Sequence, residues 1–254
     1  MDLRGKVAVI TGSGRGIGLG IARVLAGHGA NVVISDINPA SAGEAAAEML
    51  SLRVKSLAVT GDVSLKPDVE RLINEAVGEF GKVDILVNNA GITRDHLIER
   101  MPEEDWDAVL RINLKSFYLT IQAVTPVMVR NKFGRVINIS SKACWVGNMG
   151  QANYTAAKAG ALALTMTAAR EFGRHVVKGG CDLTCNAIMP GFIDTEMTRA
   201  VPEKVRQIML SQVPLNRPGT PRDIGNAVLF LASEYGSYLN GAIIPVDGGF
   251  WMAM

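Results

Sequence analysis

Four glycines in seven residues, Gly12, Gly14, Gly16 and Gly18, interrupt the chain directly after the apolar run Val7–Thr11. At the end of a β-strand, such a turn lets the backbone bend sharply and approach a bulky anion. The Ala/Leu-rich helix expected next, Ile17 to Gly29, adds free N–H groups and the positive end of its dipole. The strict G-x-G-x-x-G spacing is absent, because Ile17 and Leu19 break the frames starting at Gly12 and Gly14. A tight connection with no ligand is the plain rival. Two features weigh against it. The turn opens a β-α-β unit, and Asp36 closes the second strand 20 residues past Gly16. A carboxylate there can accept from a ribose hydroxyl. The turn residues Gly12, Ser13, Gly14, Arg15, Gly16, Ile17 and Gly18, with Asp36 and Ile37, are therefore candidates for binding a dinucleotide.

The rest of the chain repeats this alternation. Strands are expected at Val7–Thr11, Asn31–Asp36, Lys55–Thr60, Asp84–Asn88, Arg135–Ser140, Leu183–Met189 and Ala242–Val246. Helices are expected at Ala40–Leu52, Lys66–Phe80, Glu103 to about Arg130, Asn153–Gly173, Pro202–Gln212 and Arg222–Ser233. Apolar strands separated by helices predict an α/β fold: a doubly wound, seven-stranded parallel sheet of Rossmann type, with helices on both faces. Pro245 cannot donate to a ladder, which puts the last strand at the sheet edge or near its own end. With 254 residues and no repeat, linker or low-complexity run, one domain is the economical reading. A substrate lid is expected over about 191–215.

Composition narrows the function classes. Twenty-six basic and 24 acidic residues leave a net charge of +2, without the basic field that nucleic acid requires. Asp2, Arg4 and Lys6 interrupt the amino terminus before any long apolar run and no stretch has eighteen uninterrupted apolar residues, so neither a signal peptide nor a membrane span is expected, and the chain reads as cytoplasmic. The three cysteines, Cys144, Cys181 and Cys185, suggest a reducing compartment rather than a disulfide framework. His28, His96 and His175 have no metal-ligand partner at short spacing, so no metal is expected.

The spacing Thr11-Gly12-x-x-x-Gly16-x-Gly18 resembles the short-chain dehydrogenase/reductase family, and the resemblance runs over nearly the whole chain. Asn88-Asn-Ala-Gly91 looks like the family's segment after its fourth strand. Asn113, Ser141, Tyr154 and Lys158 match its catalytic set. Asn89-Ala-Gly-Ile-Thr-Arg-Asp95, Gly150-Gln-Ala-Asn-Tyr154 and Met189-Pro-Gly-Phe-Ile-Asp-Thr195 look like its 3-oxoacyl-[acyl-carrier-protein] reductase branch. The resemblance implies an NAD(P)-dependent oxidoreductase, a homo-oligomer and specifically a tetramer. It places Asp62 and Val63 against the adenine. Asn89, Ala90, Gly91, Pro190, Gly191, Ile193 and Thr195 fall along the rest of the cofactor. It also makes Lys158 a ligand of the nicotinamide ribose, and Asn113 the holder of a water in a proton relay to Lys158.

The residues themselves support that chemistry. Tyr154 and Lys158 are four apart on one expected helix and share a face. A neighbouring ammonium favours phenolate, which lowers the tyrosine pKa toward use as a general acid/base. Ser141, thirteen residues before Tyr154, can hold a substrate oxygen where charge develops. Asn113 sits in the apolar sequence Val109-Leu-Arg-Ile-Asn-Leu, where a buried amide needs a partner. Each has a structural rival: a surface aromatic, a solvated charge, a helix cap. Ser140 can be mistaken for Ser141.

A substrate pocket lined by Ser141, Trp145, Met149, Gln151, Phe192 and the segment 195–213 is apolar. It suits a 3-oxoacyl thioester on acyl carrier protein or coenzyme A; a steroid, a polyol or another secondary alcohol is the alternative. A non-catalytic dinucleotide-binding regulator stands further off, because Ser141, Tyr154 and Lys158 are all present. The segment 172–185 is about six residues longer than a usual αβ connection. That puts in question a carrier-docking corner of Arg130, Lys132, Arg135 and Arg174. For the cofactor, Arg15 favours NADP and Asp36 favours NAD. No second basic residue follows Asp36, so NAD is the expected choice. The apolar end Gly249-Phe-Trp-Met-Ala-Met254 is expected to pack on a neighbouring subunit or over the pocket.

Overall fold

The computed structural model describes residues 1–199 and 201–250, apart from the side chain of Met197. Seven parallel strands form one sheet in the order β3-β2-β1-β4-β5-β6-β7. They are β1 Val7–Thr11, β2 Asn31–Asp36, β3 Ser56–Thr60, β4 Ile85–Asn88, β5 Phe133–Ile139, β6 Asp182–Pro190 and β7 Ile243–Val246. The doubly wound sheet predicted from the sequence is the one observed. Strand β7 is the edge strand, with Pro245 opposite Met189, so its missing N–H disturbs no interior ladder.

The helices are α1 Gly16–Gly27, α2 Pro39–Leu50, α3 Lys66–Phe80, α4 Glu103–Leu110, α5 Ser116–Arg130, α6 Ala143–Val146, α7 Ala152–Gly179, α8 Glu196–Arg199, α9 Glu203–Ser211 and α10 Pro221–Ala232. Alternation within each strand divides the core in two. Ala8, Ile10, Val32, Ile34 and Ile137 face one way, onto Ile21 and Leu25 of α1, Met49 of α2 and Val228 of α10. Val7, Val9, Val33, Leu86 and Val136 face the other, onto Leu72 of α3, Val124 of α5 and Phe172 of α7. Local chemistry sets the helix starts. Asn38 accepts from the Ser41 N–H at 3.0 Å. Thr220 and Asp223 form a reciprocal capping box ahead of α10, with Pro221 in its first turn.

Two expectations are corrected. The single helix from Glu103 to Arg130 is split by a π turn, Arg111–Lys115. The segment 172–185 is not a long loop: α7 absorbs the extra residues as two further turns and runs to Gly179. The short helices α6 and α8 had no periodicity to betray them. The expected packing of the chain end falls on 251–254, outside the described residues. Among the described residues, no helix is long and apolar enough to cross a membrane.

Candidate active site

Strand order reverses between β1 and β4, and the connections that leave their C-terminal ends border a crevice of the kind that binds ligands in doubly wound folds. A cavity of about 430 Å³ opens there. A shallower depression of about 800 Å³ lies at the other end of the strands, beside Arg4, His28, Arg53 and Lys55; none of the candidate site residues reaches it.

The glycine turn forms one wall. A Cβ on Gly18 would lie 2.6 Å from the Asn89 amide nitrogen and 2.8 Å from Ser13 Cα, and one on Gly12 would lie 2.8 Å from Ala90 Cα. Side chains there would fill the space that brings β1 and β4 together. Asn89 locks this approach by donating to the carbonyls of Thr11 and Gly12 at 3.0 and 2.9 Å. Asp36 accepts from the Gly14 N–H at 3.0 Å and the Asn38 N–H at 3.1 Å, which pins its carboxylate at the cavity edge. Arg15 lies 3.6 Å from the Glu196 carboxylate of α8 at the cavity mouth, with both side chains largely exposed. A cradle closed to side chains beside a fixed carboxylate fits the phosphates and ribose of a nicotinamide dinucleotide.

Most of the cofactor candidates line this cavity: Gly12, Arg15, Gly16, Ile17, Asp36, Ile37, Asp62, Val63, Asn89, Ala90, Gly91, Tyr154, Lys158, Pro190, Gly191, Ile193 and Thr195. Ser13, Gly14 and Gly18 are not on its surface. Ser13 is buried under the turn, donating to the Ile10 carbonyl at 2.6 Å, while Gly14 and Gly18 shape the backbone. Sequence reasoning missed Ser35, Gly61, Ile92, Thr93, Ile112 and Glu196, which also line the cavity. Glycine, serine and aliphatic residues at strand ends carry no chemical signature.

The second wall carries Ser141, Tyr154 and Lys158. Tyr154 and Lys158 sit two and six positions along from the start of α7, beside the end of β5. Lys158 is 3% exposed. Its ammonium donates to the Ile139 carbonyl at 2.8 Å and lies 5.8 Å from the centre of the Tyr154 ring. Burial holds it down from its ordinary 10.5 to about 8. Ser141 lines the cavity with Tyr154 and favours the ionised phenol. The two serines divide their work: Ser140 donates to the Lys158 carbonyl at 2.8 Å, tying helix to strand, and Ser141 shares the cavity with the phenol. The expected lowering of the tyrosine pKa is corrected. Burial pushes the phenol up; the Ser141 side chain pulls against it, and the charges of Cys144 and Asp95 add to the rise. Desolvation of the phenolate outweighs the one lowering contribution, that of Ser141.

Asn113 lies in the π turn, fully buried, a distortion often found at functional sites. It does not line the cavity. Its amide clamps Ile92 at both ends, accepting from the N–H at 2.8 Å and donating to the carbonyl at 2.9 Å. A Cβ on Gly91 would lie 3.3 Å from Asn113 Oδ1 and 3.5 Å from the Lys158 ammonium, so the two side chains share one corner.

The substrate-pocket set comes together less well. Ser141 lines the cavity; Trp145, Met149, Gln151 and Phe192 do not. Trp145 and Met149 lie on the exposed 145–149 rim, 42% and 86% accessible, whereas Phe192 is turned into the interior at 5%. Gln151 spends its amide on Asp95 and Asn148. Among the described residues, no group of three or more His, Cys, Asp or Glu side chains is placed to hold a metal.

The family described as enoyl-(acyl carrier protein) reductase matches residues 12–251. The chain is 44% identical over 248 residues to the 3-oxoacyl-[acyl-carrier-protein] reductase FabG of Staphylococcus epidermidis, covering 97% of this chain and 99% of the relative. Its identity to the protein of the same name from Thermotoga maritima is 41% over 249 residues, covering 98% and 99%. For the one from Vibrio cholerae it is 43% over 252 residues, covering 99% and 100%.

Proposed function

The chain belongs to the short-chain dehydrogenase/reductase family, oxidoreductases that act on CH–OH or ketone groups with a nicotinamide dinucleotide, and from that premise we propose that it reduces the ketone of a 3-oxoacyl thioester to the secondary alcohol, or runs the reverse. The observation that carries this reading is the Tyr154 hydroxyl. It shares the cavity that holds the glycine turn with Ser141 and with buried Lys158, whose ammonium lies 5.8 Å from the centre of the Tyr154 ring. The thioester comes from the relatives, which are named for 3-oxoacyl reduction over their full length.

When bound, the nicotinamide supplies the hydride to the carbonyl carbon. Ser141 donates to the substrate oxygen and holds it where negative charge develops. Tyr154 gives that oxygen its hydroxyl proton, so one hydride and one proton convert C=O to CH–OH. A phenol pushed up by burial holds its proton at neutral pH, as an acid awaiting a developing alkoxide must. The Lys158 ammonium, against the same wall, stabilises the phenolate left behind. Asn113 fixes the backbone at Ile92 on the same side. The 191–215 segment forms the lid, with Ile193, Thr195 and Thr198 reaching the cavity.

For the cofactor we favour NAD over NADP. The support is the pinned Asp36 and the engagement of Arg15 by Glu196. The thioester is carried on acyl carrier protein or coenzyme A. Exposed Arg130, Lys132 and Arg174 remain for an acidic carrier, but Arg135 drops out: it is buried and paired with Asp182 at 2.7 Å. The working unit is a homotetramer, an assembly supported by Tyr118 on α5 and Met166 on α7, 47% and 45% exposed in the single chain. Tyr154→Phe tests the reading. It removes nearly all ketone-dependent turnover and leaves cofactor affinity within about threefold; retention of more than about a tenth of the activity refutes it, since acid/base catalysis is worth ~10²–10⁴.

A further inference from the structure

Two segments that meet at the front of Tyr154 are stitched together by contacts the reaction itself does not use. The first is the loop after β4, running from Ile92 to His96. The second is the approach to α7, from Asn148 to Asn153. The His96 N–H donates to the Gly150 carbonyl at 2.8 Å, and His96 and Gln151 form an isolated parallel bridge. The Gln151 amide donates to both oxygens of the Asp95 carboxylate, at 3.2 and 3.0 Å, while its own oxygen accepts from Asn148 at 2.8 Å. The Asn153 amide donates to the Arg94 carbonyl at 2.9 Å, and its oxygen accepts from the Tyr154 N–H at 2.7 Å. Asp105 anchors the loop from outside, 3.0 Å from His96 Nε2 and 3.6 Å from Arg94. At its other end the same loop is clamped by Asn113 through Ile92.

Resting on the reading of Tyr154 as the proton donor, we propose that Asp95 and Gln151 are positioning residues: their side-chain pair clasps the loop after β4 to the first turn of α7 and sets where the Tyr154 hydroxyl stands. Neither touches the cavity surface, so neither is catalytic. The clasp closes one polar layer away from the phenol. Its geometry reaches Tyr154 through Asn153, the residue before it. Its charge reaches Tyr154 as well, because Asp95 is among the groups that push the phenol up. The other titratable groups near the phenol are Cys144, whose thiol burial also pushes up, and the Lys158 ammonium. Around Asp95 stand Arg94, His96 and Asp105.

The donor and acceptor roles in the pair can be exchanged. Gln151→Glu places a second carboxylate against Asp95 and opens the clasp. Asp95→Asn with Gln151→Glu restores an amide-to-carboxylate hydrogen bond in the reverse sense and keeps one negative charge. The experiment compares wild type, Q151E, D95N and the D95N/Q151E double variant by steady-state reduction of acetoacetyl-coenzyme A. Q151E lowers kcat about tenfold, with cofactor KM within about twofold, as expected for displacing a reacting group by a fraction of an ångström. The double variant recovers to within about threefold of wild type. D95N moves the phenol's pH limb to lower pH, because a negative charge has been removed. Q151E within about twofold of wild-type kcat, or a double variant no better than Q151E, overturns the proposal.

A wild type without ketone-dependent turnover would refute the functional reading instead. The clasp would then be decided by ultraviolet titration of Tyr154, taken as the difference from the Tyr154→Phe protein. Q151E raises the phenol's titration and the double variant restores it; identical titrations overturn the clasp.

Discussion

Replacing Asp36 by serine should turn the enzyme toward NADPH, and the size of the change follows from how the carboxylate is held. Its two oxygens accept from the Gly14 and Asn38 N–H groups at 3.0 and 3.1 Å, so it cannot swing away from a ligand at the cavity edge. A 2′-phosphate brings roughly −1.5 to −2 charges. Like charges about 4 Å apart repel by ~1 kcal/mol in water and ~4 kcal/mol at an effective dielectric of 20. Asp36 is half-buried, which places the penalty between those limits. Arg15 offsets part of it, but that guanidinium is exposed and shared with Glu196 at 3.6 Å, so the offset is an exposed pair's ~1 kcal/mol or less. A net ~2–3 kcal/mol in favour of NADH is on the order of a hundredfold in kcat/KM. The assay is kcat/KM for NADH and NADPH on one ketone, in wild type and in Asp36→Ser. Asp36→Ser should erase most of the preference, and Glu196→Gln, which frees Arg15, should raise NADPH use a few-fold. A wild type that prefers NADPH, or an Asp36→Ser ratio equal to wild type, would refute the argument.

Gly18→Ala pushes a methyl group into Ser13 and the Asn89 amide; it should weaken cofactor binding at least tenfold and lower stability by about 1–3 kcal/mol, read by cofactor titration and urea melts. Light scattering at micromolar concentration should give a tetramer, and a monomer there would reject the assembly. The Asp223 carboxylate is held down to about 2, chiefly by Arg217 and also by the Thr220 cap. Its stabilisation is therefore present above the ordinary carboxylate pKa and lost as pH falls toward 2. Asp223→Ala should cost about 1 kcal/mol at pH 6, with the difference from wild type shrinking on acidification.

The fold was legible because its signals are periodic. Buried parallel strands read as apolar runs, and their alternation with helices leaves few topologies. Even the edge position of β7 could be read from Pro245. Ser141, Tyr154 and Lys158 stood out through the resemblance to a known family, since each alone has a plain structural rival; the structure brings all three to one cavity. Three things were hidden. The π turn at Arg111–Lys115 follows from the demands of the buried Asn113 amide on Ile92, a tertiary contact with no local period. The direction of the Tyr154 pKa depends on how dry the site is, whereas spacing reports only that a lysine is near. Gln151 was read as a substrate contact; its amide instead answers Asp95, a residue 56 positions away, and such pairings become visible only when loops are placed.

Lys158 shows how far the active site and the stability of the fold pull apart. Lys158 is 3% exposed, and among the described residues its ammonium has one hydrogen-bond partner, the Ile139 carbonyl at 2.8 Å. Burial lowers its pKa from 10.5 to about 8. The folded protein thus binds this proton less tightly than the unfolded chain, by about 3 kcal/mol at ~1.36 kcal/mol per pH unit. At neutral pH the lysine is charged in both states, and the fold bears the whole of that cost. Between pH 8 and 10.5 the folded state has released the proton and the unfolded chain has not, so stability rises with pH across that window. Lys158→Met removes the charge but leaves the Ile139 carbonyl unpaired, which costs about 1–3 kcal/mol. The net gain at pH 7 is about 1 kcal/mol, or ~2–4 °C in Tm for a chain of this size. Turnover and cofactor affinity should both collapse in the same variant. The check is Tm of wild type and Lys158→Met from pH 7 to 10. The variant should lead at pH 7 and lose its lead as pH rises; a variant less stable at pH 7, or a gap that does not change with pH, would show that this ammonium is not held at a cost to the fold.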